Sequence, residues 1–210
     1  MDFSFDEVRV LGVLIEKELA TPDYYPLTLN SLTTGCNQKS NRDPVVSFSE
    51  SQTLAALDAL LRAKLAGHSA GAGSRAEKFR HAVAEAWGLS VPERAVLSVL
   101  LLRGPQTVGE LRARTARLHA FEALSEVEEI LEALTTREEP LAFQLPRQTG
   151  KKEARFVHLL LGEPDLEALE AMASAASGSP STALTEDVVE LRERLEALEK
   201  AFQEFRTQFE

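Results

Sequence analysis

The stretch Leu11-Gly-Val-Leu-Ile15 begins a series of four patterns that the chain repeats, in the same order, from Leu97-Ser-Val-Leu-Leu101. Each apolar stripe is followed by a short segment led by threonine, then by a Leu-acid-Ala-Leu pattern, and finally by Phe-x-His. The later matched pairs are Thr28–Leu32 with Thr107–Leu111, Leu57–Leu60 with Leu131–Leu134, and Phe79–His81 with Phe156–His158. Patterns that recur in one order indicate a duplicated fold unit.

The first copy predicts three helices followed by a hairpin. Its expected elements are helices over residues 5–20, 28–34 and 49–65 and a returning strand over 78–83. Ser4 with Glu7 and Ser49 with Gln52 have the spacing of capping boxes, which begin helices. Gly35 is expected to end the second helix.

The second copy predicts the same order of elements. Its first helix has Pro92 in its first turn and ends at Gly104-Pro105. The remaining expected elements are helices over residues 108–117 and 125–136 and strands over 141–145 and 155–160. Ser125 with Glu128 is a further candidate capping box. Three helices followed by a hairpin are typical of the winged-helix variant of the helix-turn-helix.

The predicted fold class is therefore mainly α with small β wings (α+β), in the form of two tandem winged-helix domains plus a C-terminal coiled-coil helix. The predicted boundaries are 1–86 for the first domain, 87–165 for the second, 166–182 for a flexible linker and 183–210 for the heptad helix.

The end of the chain carries a heptad pattern. Its apolar residues, separated by alternating steps of four and three, are Leu184, Val188, Leu191, Leu195, Leu198, Phe202, Phe205 and Phe209. So regular a seam favours pairing with the same helix of a second chain, and it predicts a homodimer. The alternative is that this helix folds back onto its own domains.

Charge and composition limit the function classes. The net charge is −10, which excludes a uniformly basic nucleic-acid coat but not a local basic patch. Residues 166–210 carry 4 basic and 10 acidic residues, so the two copies are closer to neutral than the tail. The start of the chain has no basic region followed by an apolar one, and no apolar run reaches membrane-spanning length. We expect a cytoplasmic protein with no membrane contact.

Three stretches resemble the bacterial YceH-like family: Leu11–Glu18, Thr21–Asn30 and Cys36–Pro44, the last reading Cys-Asn-Gln-Lys-Ser-Asn-Arg-Asp-Pro. The resemblance implies a pair of winged-helix domains in a bacterial cytoplasmic protein, over the chain to about residue 165. The family brings no catalytic residues to carry over.

The residues themselves give little sign of an enzyme, and we predict neither a cofactor nor a metal site. The four histidines lack metal-ligand spacing, and His81 and His158 occupy equivalent places in the two copies, which favours a structural role. Glu16 and Glu18 are expected on a solvated helix face. Cys36, the one cysteine, is expected to be a buried small residue.

Copy 1 carries the candidate DNA-binding residues. Amides can read base edges, and cations can bind phosphates. The candidates are Asn37, Gln38, Lys39, Asn41 and Arg42 before the third helix, Ser51 and Gln52 in its first turn, and Arg75 and Lys78 on the wing. The alternative is that residues 37–44 form a rigid turn whose amides bond their own backbone.

Copy 2 differs at the equivalent positions. Its third helix is rich in glutamate, which phosphate would repel, so we predict that it does not enter a DNA groove. A secondary basic patch is formed by Arg112, Arg114, Arg117, Lys151 and Lys152. These cations could hold the phosphate backbone or pair with the acidic helix.

Two functional hypotheses follow. The first is a dimeric winged-helix protein that binds double-stranded DNA through domain 1 and is regulatory. The second is a protein-interaction or assembly module, built from tandem winged helices, that does not bind DNA. A ligand pocket between the two units is a third idea, for which the sequence names no ligand.

Overall fold

A computed structural model describes residues 2–69, 77–147 and 153–164. The chain divides into two units, 1–164 and 165–210. The predicted linker and heptad helix therefore lie outside the described residues, as do Arg75, Lys151 and Lys152.

The first copy contains three helices and an antiparallel hairpin. Its elements are α1 Phe5–Ala20, a 3-10 turn Pro22–Tyr24, α2 Leu29–Cys36, α3 Glu50–Arg62, β1 Ala66–Ser69 and β2 Lys78–His81. The hairpin register pairs Ala66 with His81 and Ser69 with Lys78. Leu27, between α1 and α2, forms an isolated bridge to Phe79. A short helix, α4 (Val83–Trp87), leads to the second copy.

The second copy has the same arrangement. Its elements are α5 Val91–Arg103, α6 Val108–Thr115, α7 Leu124–Thr136, β3 Ala142–Gln144 and β4 Phe156–His158. Ala142 pairs with His158, and Gln106 bridges to Phe156 at the place equivalent to the Leu27 bridge. The predicted α+β class is confirmed, and the predicted order of elements is observed in both copies.

The first helices of the two copies, α1 and α5, pack against each other. Residues 8–16 of α1 and 95–102 of α5 are all buried. Helix segments that are buried on all sides lie inside a core. Leu11, Leu14 and Ile15 of the predicted stripe lie on one buried face of α1, and Val10 and Val13 are buried on another side of the helix. At Gly12 a Cβ would lie 3.0 Å from Leu102 Cδ2, so the two helices approach closely there.

Two local predictions were wrong. Gly35 lies inside α2 instead of ending it, and a Cβ there would meet Val13 Cγ1 at 2.7 Å. Glycine is present because α1 passes so near. Ser125 does not cap α7, since the N-cap is Ala123 and makes no side-chain cap bond. The capping boxes at Ser4 and Ser49 are confirmed.

No helix in the described part of the chain is long and apolar enough to cross a membrane.

Candidate functional site

The segment between α2 and α3 folds around the side chain of Arg42, which is buried. Its terminal nitrogens donate to the two carboxylate oxygens of Glu16 at 3.0 and 2.6 Å. Its Nε and one terminal nitrogen also donate to the carbonyl oxygen of Gly35, at 3.1 and 2.9 Å. Arg42 thus joins α1 to the end of α2, and a phosphate contact would require breaking this buried ion pair.

A second buried arginine, Arg9, supports the same helix end. It donates to the carbonyl of Cys36 at 3.4 Å and to that of Pro44 at 2.7 Å. Its guanidinium carbon lies 5.2 Å from the centre of the Phe5 ring. The last carbonyls of a helix carry partial negative charge, so cations there are favourable. The two arginines satisfy α2 carbonyls that would otherwise be buried without partners.

The burial of Glu16 corrects the expectation of a solvated helix face. Burial by itself would raise the pKa of Glu16, but the hydrogen bonds and charge of Arg42, with help from Lys17, outweigh it and lower the pKa. The sequence could not show this pairing, because its partner is 26 residues away on a loop. Cys36 is buried as predicted, and burial raises the pKa of its thiol to about 12.

The amides of the segment are also bound within the protein. The side-chain amide of Asn37 makes both hydrogen bonds that a neighbouring strand would make to Phe48. Its Nδ2 donates to the Phe48 carbonyl at 2.8 Å, and its Oδ1 accepts from the Phe48 amide at 2.7 Å. Gln38 Oε1 accepts from Arg42 at 3.0 Å and from Lys17 at 3.3 Å. Asn37 thus binds main-chain groups, whereas Gln38 binds the side chains of Arg42 and Lys17, and the alternative of a rigid turn whose amides bond their own backbone stays a prediction.

The same segment reaches the second copy. Asn41 has a positive φ of 60°, and its Oδ1 accepts a hydrogen bond from Arg103 on α5. The amide of Asp43 donates to the Leu102 carbonyl at 2.9 Å. Residues 37–44 therefore connect the two copies.

Of the other predicted DNA-binding residues, Lys39, Ser51 and Gln52 are exposed, and Lys78 is half-buried. Ser51 and Gln52 both hydrogen-bond Ser49, at 2.8 and 2.9 Å, as part of the α3 N-terminus. Their contact with DNA stays a prediction.

The exposed face of α7 is acidic. Its exposed acids, with those just beyond the helix, are Glu128, Glu129, Glu132, Glu138 and Glu139. Beside them a groove of about 510 Å³ runs between α6, α7 and the hairpin β3–β4. Val108, Leu124 and Phe156 contribute apolar surface to the groove, and Glu128, Glu132 and Glu153 line it with carboxylates.

The described arginines of the secondary patch do not pair with α7. Arg112 donates to the carbonyl oxygens of Phe121 and Glu122, at 3.2 and 2.6 Å, and so holds the segment before α7. Arg114 lies 3.6 Å from Glu110 on its own helix. Arg117 is exposed.

A cleft between the copies was not predicted in residue detail. It lies among α1, the segment 37–44, α5 and α6, and Lys17, Arg103, Arg114 and Arg117 are among its lining residues. One feature of the sequence indicates this cleft. Lys17 and Arg103 stand at the same place in the repeat, three residues beyond the matched leucines Leu14 and Leu100.

The comparisons with known proteins agree with the resemblance found in the sequence. The family described as "Protein of unknown function, DUF480" matches residues 3–151. The chain is 52% identical to a UPF0502 protein of Geobacter sulfurreducens, over 97% of this chain and 96% of the relative. It is 46% identical to a UPF0502 protein of Azoarcus sp., over 100% of this chain and 96% of that one. The chain therefore belongs to the DUF480 family and is a relative of the UPF0502 proteins of these bacteria.

Proposed function

We propose that this protein is a non-enzymatic protein-interaction module, whose second copy binds a basic amphipathic segment of a partner protein. The observation that carries the proposal is the groove beside α7, which combines apolar surface with acidic lining. Such a groove complements a helix or extended segment that has one apolar face and one row of lysines or arginines.

The apolar part of the groove supports an anchor residue. Leu124 is 47% exposed at the start of α7, and Phe156 is only partly buried. An exposed leucine at a groove is a surface that a partner's aromatic or aliphatic side chain can cover. The energy of binding would come from this burial.

The charged part of the groove supports the choice of partner. Glu128, Glu132 and Glu153 line it, and Arg147 is the one cation among its described lining residues. Among the described lining residues this excess of carboxylates disfavours phosphate and favours basic side chains. It argues against DNA as the occupant and in favour of a basic peptide.

The binding test uses a defined probe, a fluorescent 18-residue peptide with a leucine face and a lysine face. We expect saturable binding by fluorescence anisotropy, at least about tenfold weaker for the variant Glu128→Gln/Glu132→Gln. The matched control is Glu138→Gln/Glu139→Gln, which removes the same charge outside the groove. An equal loss in both variants, or no binding by the parent protein, would contradict the proposal.

Dimerisation through the heptad helix is part of the proposal. The unbroken four-three spacing from Leu184 to Phe209 supports it. Light scattering of the full chain should give twice the mass of one chain, and removal of residues 182–210 should halve the value. A full-length protein that has the mass of one chain in solution would overturn the prediction of a dimer.

DNA binding by the first copy is the second candidate function. Lys39, which is exposed, and Lys78, which is half-buried, favour it. The exposed face of α3, however, carries Glu50 and Asp58, and Arg42 is committed to its ion pair. We therefore rank it below the interaction module.

A further inference from the structure

The cleft between the two copies has a volume of about 490 Å³ and is walled by both of them. Lys17 comes from α1, Arg103 from α5, and Arg114 from α6; Arg117 follows just beyond α6. Four cations from both copies thus meet in one concave site.

These cations are only partly neutralised. Glu16 is the one carboxylate among the described residues that line the cleft. It is shared between Arg42, at 2.6 Å, and Lys17, at 3.3 Å. Arg42 pairs with Glu16 at 2.6 Å and balances its charge, which leaves the four cations of the cleft in excess.

The arginines have weak or neutral partners. Arg103 is hydrogen-bonded to the uncharged amide of Asn41. Arg114 lies 3.6 Å from Glu110, and that carboxylate makes a closer pair with Arg155, at 3.0 Å. The cleft therefore keeps a net positive charge.

Burial and the charge of Arg114 both lower the pKa of Arg103, which agrees with two guanidinium groups held near each other. Like charges at short range repel, and an anion placed between them relieves the repulsion. Guanidinium groups match the oxygens of phosphate and carboxylate with paired hydrogen bonds.

The cleft also has an apolar side. Val99 and Leu102 of α5, with Ala20 and Leu118, contribute carbon surface to the lining. A free inorganic anion would leave this surface uncovered. An organic molecule with a phosphate at one end would use both parts of the site.

We propose that this cleft binds a small phosphorylated organic molecule, held by Arg103 and Arg114 together with Lys17 and Arg117. Such a ligand would contact both copies, so its binding would stabilise their packing. Lys17 and Arg103 hold equivalent places in the repeat, so each copy supplies a cation from the same position of its first helix. The site is separate from the groove beside α7, so either can fail without the other.

The first test measures the phosphate end alone, with inorganic pyrophosphate as the probe. Calorimetric titration should show saturable binding to the full chain. At about a hundredfold excess over the dissociation constant, the melting temperature should rise by about 5 °C relative to sodium chloride at equal ionic strength. The absence of saturable binding, or an equal rise with chloride, would overturn the proposal.

The second test locates the site. We expect Arg103→Gln/Arg114→Gln to bind pyrophosphate at least about tenfold more weakly. Arg62→Gln/Arg147→Gln removes the same charge at two exposed positions outside the cleft and should bind as the parent does. The exposed Arg117→Gln keeps the test decisive if the double variant fails to fold, and it should weaken binding without changing the unliganded melting temperature. Equal losses in the cleft and control variants would overturn the proposal.

Discussion

The carboxylate of Glu16 on α1 accepts hydrogen bonds of 3.0 and 2.6 Å from the two terminal nitrogens of Arg42, in the interior of the first copy. The pair sets the path of residues 37–44, because the same guanidinium also binds the carbonyl of Gly35. The conformation of the polar segment 37–44 is therefore set by a buried ion pair.

Arg42→Ala should lower the free energy of unfolding by about 3–5 kcal/mol, since it leaves the buried carboxylate of Glu16 without a counter-charge. Urea unfolding followed by circular dichroism measures the change. Arg42→Lys should recover only part of it, because an ammonium cannot make the paired bonds. A loss below about 1 kcal/mol in the alanine variant would show that the pair contributes little.

The same pair predicts an effect of pH. The pKa of Glu16 is lowered in the folded protein, so its contribution to stability is present above the ordinary carboxylate pKa and is lost as the pH falls through the folded value. The difference in stability between the parent protein and Arg42→Ala should therefore shrink below about pH 4. A difference that stays constant from about pH 7 to pH 3 would contradict this reasoning.

Gly35→Ala should destabilise the protein by about 1–3 kcal/mol, because the new Cβ would meet Val13 Cγ1 at 2.7 Å. Gly109→Ala is the matched control. It also lies within a helix, but its Cβ would meet nothing nearer than 4.0 Å, so helix propensity should stabilise that variant by about 0.5–1 kcal/mol. Urea unfolding separates the two outcomes. In a Val13→Ala background, Gly35→Ala should cost less than it does in the parent protein, because the clashing methyl is absent.

The elements that sequence predicted well are those that local chemistry decides. The Ser49–Gln52 capping box needs only residues three apart, and it forms as expected, with bonds of 3.2 and 2.9 Å. Gly35 shows where prediction from local sequence fails. Its sequence signal was that of a helix end, yet the close approach of α1 explains it, and that approach depends on the tertiary fold. The same holds for Arg42, whose partner is supplied by another element.

The duplicated histidines show how far the repeat could be used. In both copies Nδ1 accepts the amide two residues later: His81 from Val83 and His158 from Leu160, each at 3.3 Å. Equivalent positions predicted a shared structural role. The repeat could not predict their difference, which is that His81 also bonds Glu18 at 2.8 Å.

His158 should make stability depend on pH in mild acid. Burial lowers its pKa to about 4, whereas an exposed histidine titrates near pH 6.5. Between these two pH values His158 binds a proton in the unfolded chain but not in the folded one. About 3 kcal/mol of stability should therefore be lost as the pH falls from about 6.5 to 4. His158→Asn keeps an acceptor but cannot titrate, so its slope should be shallower. An imidazole signal assigned to His158 that titrates above about pH 6 in the folded protein would refute this.

The DNA hypothesis needs variants that leave the fold intact. Arg42→Ala is unsuitable, since lost binding could not be told from lost structure. Lys39→Ala/Lys78→Ala removes one exposed and one half-buried cation, neither of which is in a described ion pair. If the first copy binds DNA, mobility shifts on genomic fragments at about 50 mM salt should weaken, and the salt slope should fall by about one for each lost phosphate contact.

The control for that experiment is Arg147→Ala, which removes an exposed cation of the second copy. If the protein is an interaction module, neither variant matters, because the parent gives no shift even at about 50 mM salt. The acidic face of α7 favours this second outcome. A shift that weakens in Lys39→Ala/Lys78→Ala but not in Arg147→Ala would reverse our ranking of the two functions.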